Sequence, residues 1–323
     1  MRAVVCRQFG PPESLVVEDV DDPHAGPGQL VIEMRAASVT YPDVLIIEDK
    51  YQFKAKPPFV PGSEVAGVVC EVGEGVEGFA VGDAVVGAGG VTGGFAEKVR
   101  ASAAGVRRLP AGLDFAQAAG LLYSYGTGWY ALRYRGALRA GETLVVLGAA
   151  GNVGLAAVEL GKVLGARVVA VASSEEKRAL CLERGADVAI ATDDDLKARI
   201  KELTGGAGAD VVYDAIGGDY AEPVLRATGW GGRYLVIGFT AGIPRIPLNL
   251  TLLKSCQIVG VFFGAMAARE PETAAALQRE LMEMVADGRL APYVSERYPL
   301  ARAAEALASL RDRRARGKVV LVP

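Results

Sequence analysis

The feature that most constrains this chain is a turn of three glycines, Gly148-Ala149-Ala150-Gly151-Asn152-Val153-Gly154, set between an apolar strand and a helix. The run Thr-Leu-Val-Val-Leu at 143–147 leads straight into the turn. Residues 153–164 follow with Val153, Ala157, Leu160 and Leu164 at roughly helical spacing, closed by Gly165. A second apolar strand is expected at 167–172. A pyrophosphate placed at such a turn meets free backbone N–H groups and the positive end of the helix dipole. Glycine is needed because a Cβ would block the close approach of backbone to phosphate and of helix to strand. The spacing departs from G-x-G-x-x-G by one residue at the first glycine. A bare triplet of this kind also occurs in ordinary strand–helix turns. It is the strand before, the helix after and the second strand at the right distance that point to a dinucleotide site.

The residues beyond the second strand bear on which dinucleotide. An NAD-preferring site would place Asp or Glu against the ribose hydroxyls there. This chain has Ala172-Ser173-Ser174-Glu175-Glu176-Lys177-Arg178 instead. Small hydroxyls and nearby cations suit a 2′-phosphate, which a carboxylate would repel. Ser173 or Ser174 can also N-cap the helix expected at 175–184, and capping and phosphate binding are compatible. The cofactor expected is therefore NADPH, with Ser173, Ser174, Lys177 and Arg178 around its 2′-phosphate.

The texture of the chain changes near residue 122. Before it, short β-rich runs at 3–6, 15–19, 30–36, 64–72, 83–86 and 95–99 alternate with glycine-rich turns, the pattern of an antiparallel barrel-like domain. After it, strands and helices alternate, with further buried strands expected at 210–213, 233–237 and 257–261, which indicates a doubly wound α/β domain. The tail carries helices at about 272–286 and 300–311 and a strand at 318–322. It is expected to pack back onto the first domain. The predicted domains are thus 1–121 with 264–323, and 122–263.

Composition removes several classes. Lys plus Arg is 35 and Asp plus Glu is 38, a near-balance that offers no electrostatic footprint for nucleic acid. No uncharged run reaches the roughly 20 residues a membrane span needs. The N-terminal Met-Arg-Ala-Val-Val-Cys-Arg contains no secretory core. Four scattered cysteines, Cys6, Cys70, Cys181 and Cys256, make neither a disulfide framework nor a Cys-x-x-Cys pair, as expected for reduced thiols in a cytoplasmic protein. A catalytic zinc needs three protein ligands, and a structural zinc usually four thiolates. With one histidine, His24, in a Pro/Gly turn, the chain is expected to hold no metal.

Strands, glycine turn and tail together resemble the medium-chain dehydrogenase/reductase superfamily over essentially the whole chain. The resemblance is nearest to its zinc-free, zeta-crystallin-like quinone oxidoreductase branch. It implies a GroES-like β-barrel catalytic domain beside a Rossmann domain. Pro61-Gly62-Ser63-Glu64-Val65-Ala66-Gly67 is similar to the segment where zinc-dependent members carry Gly-His-Glu, with Ser63 in place of the histidine. The resemblance assigns Gly148, Ala150, Gly151, Asn152, Val153 and Gly154 to the cofactor loop. Asn152 stands where glycine is commonest. Ser173 and Lys177 fall at the 2′-phosphate positions, and Thr192 stands where a tyrosine often assists. Thr127 matches a threonine near the nicotinamide. Ile216, Gly217, Gly238, Phe239, Phe262 and Phe263 match strand ends lining the cofactor cleft, and Lys318 matches a terminal lysine able to reach the cofactor.

The implied reaction is hydride transfer to an activated double bond or quinone. Charge builds on oxygen, so a proton source is needed. Tyr51 matches a tyrosine that donates a proton in related enoyl-thioester reductases. Tyr41 and Asp43 match the segment facing substrate in quinone reductases. The resulting expectation is an NADPH-dependent, metal-free reductase of quinones or α,β-unsaturated carbonyls, a homodimer through its cofactor domains with 257–261 as an edge strand. An enoyl-thioester reductase, with Lys54 and Lys56 near coenzyme A phosphates, is one alternative. A cofactor-binding structural or RNA-binding protein is another, and the net charge of −3 counts against it.

Overall fold

The computed structural model describes residues 1–88, 90–110, 112–192 and 195–323. These form two units, Met1–Tyr123 with Ala291–Pro323, and Ser124–Leu290.

In the first unit, Arg2–Val5 (β1) and Val16–Asp19 (β2) form an antiparallel pair. The larger sheet is built on Gln29–Val39 (β3). Its other strands are Glu64–Val72 (β4), Ala84–Ala88 (β5), Lys98–Ser102 (β6), Val106–Arg108 (β7), Val294–Pro299 (β14) and Lys318–Val322 (β15). The order is β14-β15-β3-β4-β5-β7, with β6 also paired to β3. All pairs are antiparallel except β14–β15, as expected for a barrel-like domain. Leu30, Ile32, Met34, Val65, Val69, Val85, Phe95, Val319 and Leu321 share one core with Leu307 of the C-terminal helix. The strand expected at 95–99 begins at Lys98 instead. Phe95 spends its backbone on Pro61 and Val4 (Phe95 N–Pro61 O 2.9 Å, Val4 N–Phe95 O 2.9 Å), so this stretch crosses between neighbours before joining β3.

The second unit holds Thr143–Leu147 (β8), Arg167–Ala172 (β9), Val188–Ala191 (β10), Ala209–Asp214 (β11), Thr228–Val236 (β12) and Gln257–Gly260 (β13). All pair in parallel, in the order β10-β9-β8-β11-β12-β13. Full burial of β8 beyond its first residue explains its unbroken apolar run. The strand order reverses between β8 and β11, and the crevice beyond their carboxyl ends is where doubly wound sheets bind ligands. The helix Pro271–Ala286, expected in the tail of the first domain, lies in the second unit. It buries Leu277 and Leu281, and its Glu280 accepts a 2.5 Å hydrogen bond from the Trp129 indole N–H. Among the described residues, no helix is long and apolar enough to cross a membrane.

Candidate cofactor and proton-transfer residues

The glycine turn follows β8 directly. Gly148 has φ +69°, a left-handed conformation that glycine adopts without a steric penalty. Gly151, with extended backbone, caps the helix Asn152–Val163 (called α2 below, after Tyr41–Ile47, α1). The Gly151 N–H donates to Gly148 O at 2.9 Å, closing the turn. A Cβ on Gly154 would lie 2.2 Å from Gly148 O and 2.8 Å from the Ala149 Cα, so only glycine lets α2 sit this close to the strand end. Gly151 is exposed, and a Cβ there would meet nothing nearer than Gly148 O at 3.3 Å. The first-turn amides of Asn152, Val153 and Gly154 precede the first intrahelical bond, made by Leu155 N to Gly151 O at 2.8 Å. Ala149 and Ala150 are buried. The turn is an open anion cradle in which Gly151 and Gly154 face backbone atoms.

β9 ends at Ala172, and the helix Glu175–Glu183 (α3) begins three residues later. Ser174 is its N-cap, accepting from the Lys177 amide at 3.3 Å, and Ser173 is exposed. Arg178 turns back to the strand end, its Nη1 3.4 Å from Ala172 O and 3.5 Å from Ser173 O. A guanidinium thus sits where an NAD-preferring site would hold a carboxylate. Thr192 is half-buried just past β10.

Of the other expected cofactor residues of the second unit, Ile216, Gly217, Gly238 and Phe239 gather around the end of β11. A Cβ on Gly148 would fall 2.9 Å from Ile216 Cγ1, which places the β11 end against the glycine turn. Gly217, φ +67°, lies under Phe239, whose Cδ1 would be 2.9 Å from a Cβ there. Gly238 sits by Ala215 O. Asp214, buried at the end of β11, accepts from the amides of Ile216 (2.8 Å) and Gly217 (2.9 Å) and from the Tyr234 hydroxyl (2.6 Å). Its carboxylate shapes the Ile216–Gly217 corner. Thr127 is buried in the short helix Gly126–Trp129. The Phe263 ring packs on neighbouring Gly126, while Phe262 is 44% exposed. Phe239 is exposed as well, so of the three phenylalanines only Phe263 is a core residue.

In the first unit, Tyr41 is the first residue of α1 and half-buried. Asp43 is 1% exposed and its Oδ2 accepts from the Thr40 amide (2.7 Å) and hydroxyl (2.6 Å), the reciprocal box that starts α1. Burial pushes its carboxyl up to about 6, against the Thr40 bonds and the Gly62 amide that favour the charge. Tyr51 is half-buried, tilted against Phe53 with centroids 6.1 Å apart. Burial raises its phenol, a hydrogen bond from Tyr123 opposes this, and the Asp43 charge adds to the rise. Lys54 is engaged by Asp49 through O (2.7 Å) and Oδ1 (2.8 Å), which leaves the coenzyme A reading with less support. Lys318, expected to reach the cofactor, is 2% exposed and donates to Gln117 O (2.9 Å) and Ala119 O (2.5 Å). Both carbonyls belong to its own unit, and its charge also acts on Glu64.

Ser63 stands beside a retained acid, Glu64, and His24 lies at the surface 3.3 Å from Glu71. Among the described residues, no group of three or more His, Cys, Asp or Glu is placed to hold a metal ion. Glu64 and Asp214 are buried carboxyl groups that sequence reasoning missed. Both had a signal, a carboxylate at one end of an apolar strand.

A barrel-type unit joined to a doubly wound dinucleotide-binding unit defines an oxidoreductase of the alcohol dehydrogenase type. Residues 26–111 match the alcohol dehydrogenase GroES-like domain, and residues 152–280 match the zinc-binding dehydrogenase family. The chain is 38% identical to a quinone oxidoreductase-like protein 2 homolog from Nematostella vectensis, over 99% of this chain and 88% of that one. A solved mycobacterial structure complexed with NADPH is 31% identical, with a TM-score of 0.94 and full coverage of both chains. The quinone oxidoreductase of Escherichia coli complexed with NADPH is 28% identical, with a TM-score of 0.92, again over all of both chains. The chain belongs to the medium-chain dehydrogenase/reductase superfamily, among its quinone oxidoreductase-like members.

Proposed function

We propose that this protein is an NADPH-dependent reductase of quinones or α,β-unsaturated carbonyls that works without a metal. The observation that carries this reading is the cradle at Gly148–Gly154, open at Gly151 and closed to any side chain at Gly154. NADPH, when bound, supplies the hydride from its nicotinamide C4. The amides of Asn152, Val153 and Gly154 bind the pyrophosphate. Ser173, Lys177 and Arg178 take the 2′-phosphate, supported by the absence of a carboxylate at the end of β9. Thr127, Ile216, Gly217, Gly238 and Phe239 form the walls against the nicotinamide half. Phe262 and Phe263 continue that wall.

On the acceptor side, Tyr51 donates the proton that balances the developing oxyanion. Tyr41 contacts the acceptor, and Asp43 holds the start of α1 so that both tyrosines keep their places. Metal-free chemistry is supported by Ser63 and by the single, solvated histidine. The protein is further proposed to be a cytoplasmic homodimer joined along β13, an edge strand with three of its four residues exposed.

The test is parallel turnover with NADPH and NADH against an ortho-quinone, a simple enone and a short enoyl-CoA. Turnover of the quinone or enone with NADPH is expected. Turnover confined to the thioester would make the protein an enoyl-thioester reductase. NADPH binding with no turnover of any acceptor would favour a structural role.

A further inference from the structure

Asp214 stands where the strand order of the second sheet reverses. Its register partners are Leu147, the last residue of β8 before the glycine turn, and Val236, the last residue of β12. Val212, two residues earlier on the same face of β11, shares a core with Val224, Leu225 and Tyr234. Asp214 ends that face at 3% exposure. A carboxylate buried there is costly unless its oxygens find donors. Oδ1 accepts from the amides of Ile216 (2.8 Å) and Gly217 (2.9 Å), and Oδ2 from the Tyr234 hydroxyl (2.6 Å). Burial and the Asp214 charge push the Tyr234 phenol well above its usual range, so it remains a donor at every working pH.

The backbone of Asp214 holds the neighbouring strand end as well. Its carbonyl accepts from the amides of Ile237 (2.9 Å) and Gly238 (3.2 Å). On the other side, the Ala241 amide donates to Ile216 O (2.8 Å) and the Gly218 amide to Gly242 O (2.7 Å). Residues 216–218 are thus pinned between a buried carboxylate and the 240–242 stretch. The pinned corner sets Ile216 Cγ1 at 2.9 Å from where a Cβ on Gly148 would stand. Because Asp214 takes the amides of Ile216 and Gly217, this corner meets the glycine turn with carbon.

We propose that Asp214 is a positioning residue of the cofactor site: its carboxylate holds Ile216 against the glycine turn and so sets the width of the NADPH cradle. The proposal rests on the reading of Gly148–Gly154 as that cradle. Asp214 acts through the corner, and its oxygens are turned to donors of the protein.

Fluorescence titration of NADPH, which needs no acceptor, tests this on the full chain carrying Asp214→Leu, Asp214→Asn or Ile216→Ala. Asp214→Leu keeps a side chain of similar length and removes the acceptor. It should weaken NADPH binding about 10-fold, the scale of bonds to a charged group. Asp214→Asn still offers one oxygen to both amides and should recover most of that loss. A residue that only supported the fold would lower Tm in both variants and leave the affinity of the folded protein as it was. Ile216→Ala shortens the group that the corner presents and should reproduce the weakening. Asp214→Leu added to Ile216→Ala should then cost little more, as expected for residues acting through one contact.

A wild-type protein that fails to bind NADPH would overturn the cradle reading itself. Wild-type affinity in a folded Asp214→Leu would overturn only the role of Asp214. Equal weakening in Asp214→Asn and Asp214→Leu would also overturn it, since an acceptor for the two amides would then make no difference. Ile216→Ala decides the matter even where Asp214→Leu does not fold. Unchanged affinity in that variant would remove the corner from the cofactor site, and the proposal with it.

Discussion

At the residue scale, the two glycines of the turn separate folding from binding. A Cβ at position 154 would lie 2.2 Å from a backbone oxygen, and one at 151 would lie 3.3 Å from the same atom. Gly154→Ala should lower stability by about 1–3 kcal/mol, the usual range for overpacking, seen as a fall in Tm. Gly151→Ala should keep the wild-type Tm yet weaken NADPH binding at least 10-fold, because its methyl group enters the phosphate cradle. Fluorescence titration of NADPH with both variants checks this, and wild-type affinity in Gly151→Ala would sink the cradle reading. Lys177→Ala is expected to raise KM for NADPH by about 10-fold and leave KM for NADH unchanged, on the scale of one charge-assisted bond. A parallel loss with both cofactors would remove Lys177 from the 2′-phosphate site. The loop glycines were legible because their spacing follows local backbone geometry. For Lys318 the sequence carries no sign of which carbonyls its ammonium meets, and the structure gives it those of Gln117 and Ala119.

At the element scale, α1 shows how one side chain fixes the start of a helix. Asp43 sits in the segment expected to face substrate, but its carboxylate closes the capping box with Thr40. A folded pKa of about 6, above the ordinary 3.8, means the native state binds more protons than the unfolded chain between those values. The stability linked to this group is fully present below 3.8 and is lost as pH rises through about 6. Asp43→Asn should therefore flatten the dependence of Tm on pH across that window. A variant whose curve keeps the wild-type slope would clear Asp43 as its source. Strand and helix bounds near the glycine turn were readable to within about a residue, since full burial on a parallel sheet leaves unbroken apolar runs. The short β10 was missed, because a run of four residues carries no period to detect.

At the scale of the whole molecule, β13 ends the sheet of the second unit, and Leu248 and Leu252 nearby are 75% and 80% exposed. Open edges of this kind invite pairing with another chain. The proposed homodimer predicts that Ile258→Lys, at an exposed edge position, converts a dimer to a monomer in sedimentation equilibrium. A wild-type protein already monomeric at micromolar concentration would refute it. Sequence by itself determined the two-part architecture, the dinucleotide turn and the absence of a carboxylate at the end of β9. Each of these is written in local periodicity and spacing. Tertiary structure alone decided that the helix Pro271–Ala286 joins the second unit, through the Trp129–Glu280 bond. It also decided that Glu64 accepts from the amides of Leu122 and Tyr123 and that Lys318 donates to the carbonyls of Gln117 and Ala119. Those pairings join residues far apart in the chain, and only the folded sheet brings their polar atoms within bonding distance.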